Sequence, residues 1–290
     1  MKKTRIRYKK LFFVILFLLA VGAAVVYGTL AFLAWWSAPD APQQPGKAGT
    51  PEYALFIGTS AEGEARADSL ILTAVNPQQQ SLHVISLPGS TRISASGEPL
   101  LLLRDAYSAG GAERTVSAVE NLLHIRIGRY AVFDRSGFSA LLDHFGGVDL
   151  YVEKNMYHED REGMPDISLR QGVQPLEGEN AYGYLRYIDT DEGEIGRIQR
   201  EERFFKAFLM QSRAHFRLYN WGLVRYYWQP PDTNITSDEA AGTVYTVLGF
   251  PPENLHFAIL PGEIRTYDNQ RVWEINPIEI QKVVGLTIDQ

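Results

Sequence analysis

The stretch GGAERTVSAVENLLHIRIGRYAVFD, residues 110–134, decides the fold class. Within it Val116, Val119, Leu122 and Leu123 recur at three- and four-residue spacing, which predicts an amphipathic helix over 111–124 with Glu113 near its start. A few residues later YAVF (130–133) reads as a short strand. Upstream, YALFIG (53–58), SLILTAVN (69–76) and SLHVISL (81–87) are apolar, partly β-branched runs bounded by Gly, Pro and Asn, and the last two form a hairpin turned around 77–80. Downstream, a helix over 136–145 meets a Gly-Gly turn and a strand over 147–152. Helices follow over 179–187, 196–213 and 237–248, the last starting at Ser237 with Glu239 in its first turn, and the tail over 255–260 and beyond returns to strand character. Interleaved elements of this kind give an α/β class, a central sheet covered by helices on both faces.

The N-terminus sets the expected location. MKKTRIRYKK (1–10) runs into the uncharged apolar segment LFFVILFLLAVGAAVVYGTLAFLAWW (11–36). That segment exceeds the roughly 20 residues needed to span a bilayer and the 7–15 of a cleaved signal peptide, the competing reading. A transmembrane helix over 11–36 is therefore expected, with Trp35 and Trp36 as interfacial aromatics. Lys2, Lys3, Arg5, Arg7, Lys9 and Lys10 place the N-terminus in the cytoplasm and everything beyond Trp36 outside it. SAPDAPQQPGKAGTP (37–51) reads as a spacer, leaving 52–290 as one extracytoplasmic domain.

Composition excludes several chemistries. The chain has no cysteine, hence no disulfide, thiolate zinc site or cysteine nucleophile. Removing the six basic residues of the first ten from the formal charge of −6 leaves −12, which argues against wholesale nucleic-acid binding. The six histidines show no HExxH or HxH spacing, and no P-loop, GxGxxG or GxSxG element is present. Asn234-Ile235-Thr236 fits a glycosylation sequon, a tripeptide common by chance.

What stands out is a set of arginines at the ends of elements. Arg66 and Asp68 precede the second strand, Arg92 follows the third, Arg186 closes a helix, and Arg197 and Arg200 lie three apart at the start of the next. The guanidinium fork suits phosphate, donating two hydrogen bonds at once without losing its charge. The plainer account pairs Arg186 or Arg200 with Glu194, Glu201 or Glu202 on the surface, worth about 0–1 kcal/mol each. Phe204, Phe205, Phe208 and Leu209 read as core at helical spacing, with a lipid-pocket wall as the alternative.

The pieces ADSLILTAVNP, ISLPGSTRI, GGAERTVSAVENLLHIRIGRYAVFD, GFSALLDHFGGVDLYV, LRQGVQPLEGENAYGYLRY and GEIGRIQREER resemble, in order and spacing, successive motifs of the LytR–CpsA–Psr family. The resemblance implies a mixed sheet with a long apolar pocket for a lipid tail. It also implies a phosphotransferase that moves a glycopolymer from a polyprenyl-pyrophosphate carrier to peptidoglycan, usually with Mg²⁺. Carried over by position, Arg92, Arg186 and Arg197 would be catalytic, Arg66, Arg200 and Glu194 substrate-binding, and Asp68 a metal ligand. The expected partners are the lipid-linked glycopolymer, peptidoglycan and the membrane, with no direct contact to nucleic acid.

The chain departs from the family pattern at several of these positions. No acidic residue follows the first strand's glycine in Gly58-Thr59-Ser60, and Gly89-Ser90 replaces the Arg-Asp pair of the family's SIPRDTR turn. Ile188 replaces the second arginine of RYR, Glu194 an aspartate, and Glu201 a glutamine. Removing single electrostatic contacts at such sites costs roughly 10²–10³ in rate. The alternative to a working transferase is therefore a catalytically impaired member that binds polyprenyl phosphate or wall polymer as an assembly or regulatory factor.

Overall fold

The strand-rich segment that opens the domain builds its sheet. The computed structural model describes residues 51–59, 66–94, 99–160, 162–267 and 269–288. The expected basic segment 1–10, transmembrane helix 11–36 and linker residues 37–50 lie outside the described residues. Among the described residues no helix is long and apolar enough to cross a membrane.

Strands β1 (Glu52–Thr59), β2 (Ala67–Asn76) and β3 (Ser81–Ser86) form an antiparallel meander. The β2–β3 turn closes where expected because the Asn76 carboxamide oxygen accepts from the Gln78 and Gln79 amides, both at 3.1 Å. Helix α1 (Asp105–Leu123) returns the chain to β4 (Arg129–Phe133), which lies parallel to β1. With β9 (Asp232–Thr233) and β10 (Leu255–Ile259), the sheet is mixed and six-stranded in the order β10-β3-β2-β1-β4-β9. Helix α1 starts earlier than the expected residue 111. Its path breaks at Gly110 and Gly111, the latter at φ +64, and a further helical segment precedes the break.

Helices cover both faces, as expected. On one face Leu55 and Ile57 of β1, Leu70 and Leu72 of β2 and Val132 of β4 share a buried core with Val119 and Leu123 of α1 and Ile280 of α7 (Pro277–Ile288). The alternate residues, Phe56, Ile71 and Phe133, face three further helices: α2 (Arg135–Phe145), α3 (Gly178–Arg186) and α4 (Gly193–Ala214). The Asp134 carboxylate caps α2 by accepting from the Gly137 amide at 2.7 Å. A second core under α3 and α4 takes in β5 (Val148–Val152) paired with β8 (Gly172–Leu176), and β6 (Met156–Glu159) paired with β7 (Pro165–Leu169). Phe204 is buried there as expected of a core residue.

Helix α5 (Arg217–Tyr227) holds the Tyr226-Tyr227 pair, and α6 (Ser237–Val247) starts one residue after its true cap. That cap is Thr236, in a reciprocal capping box with Glu239. The hairpin β11 (Gly262–Tyr267) and β12 (Gln270–Ile275) packs its Trp273 backbone against the Ser90–Arg92 turn.

Candidate active site

The site begins at a fault in the β1–β2 ladder. Gly58 faces Ser69 and Thr59 faces Ala67, so Asp68 is the extra residue of a β-bulge. A bulge interrupts the in-out alternation and re-aims one side chain, a device common beside functional sites. Asp68 lines a cavity of about 110 Å³ walled by Phe56, Ile71, Phe133, Phe138, Leu185 and Phe205, with Tyr182, Arg186, Arg197 and Glu201 also on its lining. Among the described residues the Asp68 carboxylate has no hydrogen-bond or ion-pair partner within contact distance. Burial pushes its carboxyl above the usual carboxylate range, and the charges of Arg197, Arg186, Arg104 and Arg66 only partly offset this.

Two of the expected arginines reach the cavity, each braced by a carboxylate. Arg197 Nη1 donates to Glu201 Oε1 at 2.6 Å, with Glu194 Oε1 3.7 Å from its other nitrogen. Both members of the closer pair are almost fully buried. Burial pushes the Glu201 carboxyl up, Arg197 and a hydrogen bond from Ser69 pull it down, and the nearby Glu194 and Asp68 charges push it further up. Arg186 is held by Asp166, whose other oxygen lies 2.6 Å from His158 Nδ1. Burial alone would raise Asp166, but His158 and Arg186 more than offset it and hold its carboxyl low. The Arg186 guanidinium also stands over the Tyr182 ring at 5.9 Å.

The other expected site residues go elsewhere. Arg200 is fully buried, donating to the Tyr187 carbonyl and, at 3.1 Å, to Glu192. A spacing of three residues predicts one shared face of α4 for Arg197 and Arg200, but their acceptors draw them to different places. Arg92 lies over the Tyr267 ring at 5.1 Å, beside the β11–β12 hairpin rather than on the cavity lining. Arg66 is 3.8 Å from Asp105 and half exposed. Glu194 is engaged by Ser90, accepting from its amide at 3.3 Å and from its hydroxyl.

For Mg²⁺, which takes one or two carboxylates plus water and phosphate oxygens, Asp68 fits because no donor occupies it. Glu194 does not fit equally, because Ser90 and Arg197 already engage it. Among the described residues no cluster of three or more acidic, histidine or cysteine side chains is preformed for a metal. The expected long lipid pocket appears as a short cavity, smaller than the ~150 Å³ that admits benzene. Phe56, Phe138 and Phe205 are among the side chains that bound it. The α4 aromatics thus divide, Phe204 into the core and Phe205 onto the cavity.

Three contributors escaped the sequence reading: Arg104, Asp166 and Tyr182. Arg104 and Asp166 approach through tertiary structure with no local spacing signal, whereas Tyr182 lies four residues before Arg186 on α3, a spacing that puts the two on one helical face.

The surrounding architecture has known counterparts. The crystal structure of Bacillus subtilis TagV superposes with a TM-score of 0.69 at 25% identity, covering 83% of this chain and 98% of that one. In sequence the chain is 31% identical over 172 residues to the polyisoprenyl-teichoic acid–peptidoglycan teichoic acid transferase TagV of Bacillus subtilis (strain 168), covering 55% of this chain and 43% of the relative. It is 33% identical over 151 residues to the corresponding transferase TagU of Halalkalibacterium halodurans, covering 51% and 47%. The chain thus spans about half the length of these curated relatives. The model of the LytR_cpsA_psr family matches residues 41–287, nearly the whole described domain, and the chain belongs to that family.

Proposed function

We propose that this domain is a phosphotransferase that moves a glycopolymer from a polyisoprenyl-pyrophosphate carrier to peptidoglycan. The observation that carries the reading is Asp68: a bulged, uncommitted carboxylate that shares the lining of an apolar cavity with Arg186 and Arg197. An unpaired, partly buried carboxylate is costly unless a cation joins it, and a cation with flanking arginines is what a pyrophosphate needs. The relatives' names, which specify polyisoprenyl-linked teichoic acid and peptidoglycan, agree with this substrate class.

In the proposed reaction an acceptor hydroxyl oxygen attacks the phosphorus bonded to the glycopolymer. The bond between that phosphorus and the bridging oxygen breaks, and polyprenyl phosphate leaves as the hydroxyl proton is released. Asp68 would hold Mg²⁺, which would supply positive charge to offset the charge growing on the leaving group. Arg186 and Arg197 orient the phosphates, Asp166 and Glu201 fix those two guanidiniums, and Tyr182 flanks Arg186. The apolar lining faces the start of the isoprenoid tail and excludes water, and seating the tail requires the α2–α4 side of the cavity to open.

The same proposal places the protein at the cell membrane, spanning it once over 11–36 with the N-terminus cytoplasmic. A tethered enzyme meets a lipid-anchored donor at raised effective concentration. The test is incubation of the full chain, in detergent, with a lipid-linked glycopolymer and peptidoglycan, with and without Mg²⁺. Release of polyprenyl phosphate with coupled product supports transfer.

A second reading, a binding protein without turnover, draws on the engagement of Glu194 by Ser90 and on the Glu201 charge facing Arg197. It predicts donor binding without release.

A further inference from the structure

Asp68 is not the only aspartate that a strand irregularity delivers to this site. In the β6–β7 hairpin His158 faces Ile167 and Glu159 faces Pro165, so Asp166 is the extra residue of a second β-bulge. The end of the hairpin holds that register. The Asp160 carboxylate accepts from the Glu162 and Met164 amides, both at 2.9 Å, and the Asp160 amide donates to the Met164 carbonyl at 2.9 Å.

Both oxygens of Asp166 are taken, by residues of two different elements. One contacts Arg186 of α3, which is on the cavity lining, and the other lies 2.6 Å from Nδ1 of His158 on β6. A carboxylate oxygen only accepts, so the imidazole donates from Nδ1. The His158 side chain is 55% exposed, Asp166 9% and Arg186 25%, so the chain of contacts runs from the surface inward to the cavity. The neighbouring charges are engaged elsewhere. Glu159, next to His158 on β6, accepts from the Tyr157 hydroxyl at 2.6 Å. Arg135 of α2, which shares a surface groove with Asp166, donates to Glu179 at 2.7 Å.

We propose that His158 is a positioning residue of this site: it fixes the Asp166 carboxylate and, through it, the orientation of the Arg186 guanidinium towards a phosphate. The inference rests on the reading of the cavity as a phosphate-binding site. His158 itself is not on the cavity lining. The terminal torsion of an aspartate is broad, so a carboxylate held at one oxygen still swings and carries its guanidinium with it. Held at both oxygens, Asp166 presents one direction to Arg186, and the guanidinium is set before the anion arrives. Its planar fork matches a phosphate only when that plane is fixed.

The test uses the full chain in detergent with geranyl pyrophosphate and Mg²⁺ as the calorimetric probe. His158→Leu removes the donor and should weaken binding about 3- to 10-fold, the worth of one hydrogen bond. The melting temperature should change little, because the ring is more than half exposed. His158→Asn places an amide N–H near the position of Nδ1 and should recover most of the loss. In Arg186→Met, which itself weakens binding, adding His158→Leu should bring no further loss, because the effect passes through that guanidinium. Normal binding by His158→Leu, no recovery in His158→Asn, or the same loss in both Arg186 backgrounds would each overturn the inference while the phosphate site stands. If Arg186→Met binds as the unaltered chain does, or the unaltered chain does not bind the probe, the reading of the site fails and this inference with it.

Discussion

Replacing Arg197 by alanine strands the nearly buried carboxylate of Glu201. Arg197 and Glu201 are 8% and 4% exposed and lie 2.6 Å apart, one helical turn from each other on α4. Removing one partner of such a buried pair costs about 3–5 kcal/mol, chiefly because the survivor remains charged and desolvated. For a domain of this size about 1 kcal/mol corresponds to roughly 2–4 °C, so the melting temperature should fall by roughly 6–20 °C. Glu201→Gln should be mild, about 1 kcal/mol or less, because the amide still accepts a hydrogen bond and Glu194 remains 3.7 Å from the guanidinium. In the double variant the stranded charge is gone, and about 2 kcal/mol or more of the Arg197→Ala loss should return as coupling energy. Urea denaturation followed by circular dichroism at pH 7 measures all four corners of the cycle. A loss below about 1 kcal/mol for Arg197→Ala, or a coupling energy near zero, would refute the description of this pair as dry and mutually dependent.

The same electrostatics yields further expectations. Asp68 and Glu201 both have carboxyls held above their ordinary values, so the folded state binds protons more readily than the unfolded chain. Their contribution to stability should therefore fall as pH rises from the unfolded carboxylate range through the folded one, and Glu201→Gln should flatten that fall in a pH series of denaturation curves. Asp68→Asn should raise stability by roughly 0.5–2 kcal/mol while removing any Mg²⁺ enhancement of ligand binding, the usual exchange at a functional site. A destabilised Asp68→Asn would contradict the uncommitted-carboxylate account. Asp166→Ala releases Arg186 from its brace and should weaken pyrophosphate binding about tenfold with a small change in melting temperature, as read by calorimetry. Phe204→Ala should cost about 3–5 kcal/mol as a core deletion. Phe205→Ala, on the cavity wall, should cost less and admit a longer isoprenoid chain, measurable by comparing geranyl and farnesyl pyrophosphate.

Much of the fold was legible because its segments carry clean periodicities. The 69–76 and 81–87 runs are β-branched and sheet-bound, and the α1 stripe through Val116, Val119 and Leu123 faces a core. Beyond residue 260 only general strand character was legible and not the β11–β12 hairpin itself, because GEIRTY is largely exposed and lacks the alternation that burial of one face imposes. Helix α5, with RLYNWGLVRYY, spreads aromatics around its circumference and buries mainly Asn220 and Val224, which leaves a weak helical stripe.

At the site, spacing placed Arg197 and Arg200 near one another on α4 but could not say which acceptor each would find. Glu201 and the cavity take the first, and the Tyr187 carbonyl takes the second. Arg104 and Asp166 were silent because their meaning arises only when distant segments meet. The Asp68 bulge was likewise hidden, since a one-residue register shift leaves no compositional mark.

The central claim is transfer, and its most direct measurement is polyprenyl phosphate release from a lipid-linked glycopolymer in the presence of peptidoglycan. It should be run on the full chain and on Asp68→Asn, each with Mg²⁺ and with a chelator. The account predicts Mg²⁺-dependent release and attachment by the unaltered chain, reduced at least about 10²-fold in Asp68→Asn. Donor binding with no release under any condition would contradict it.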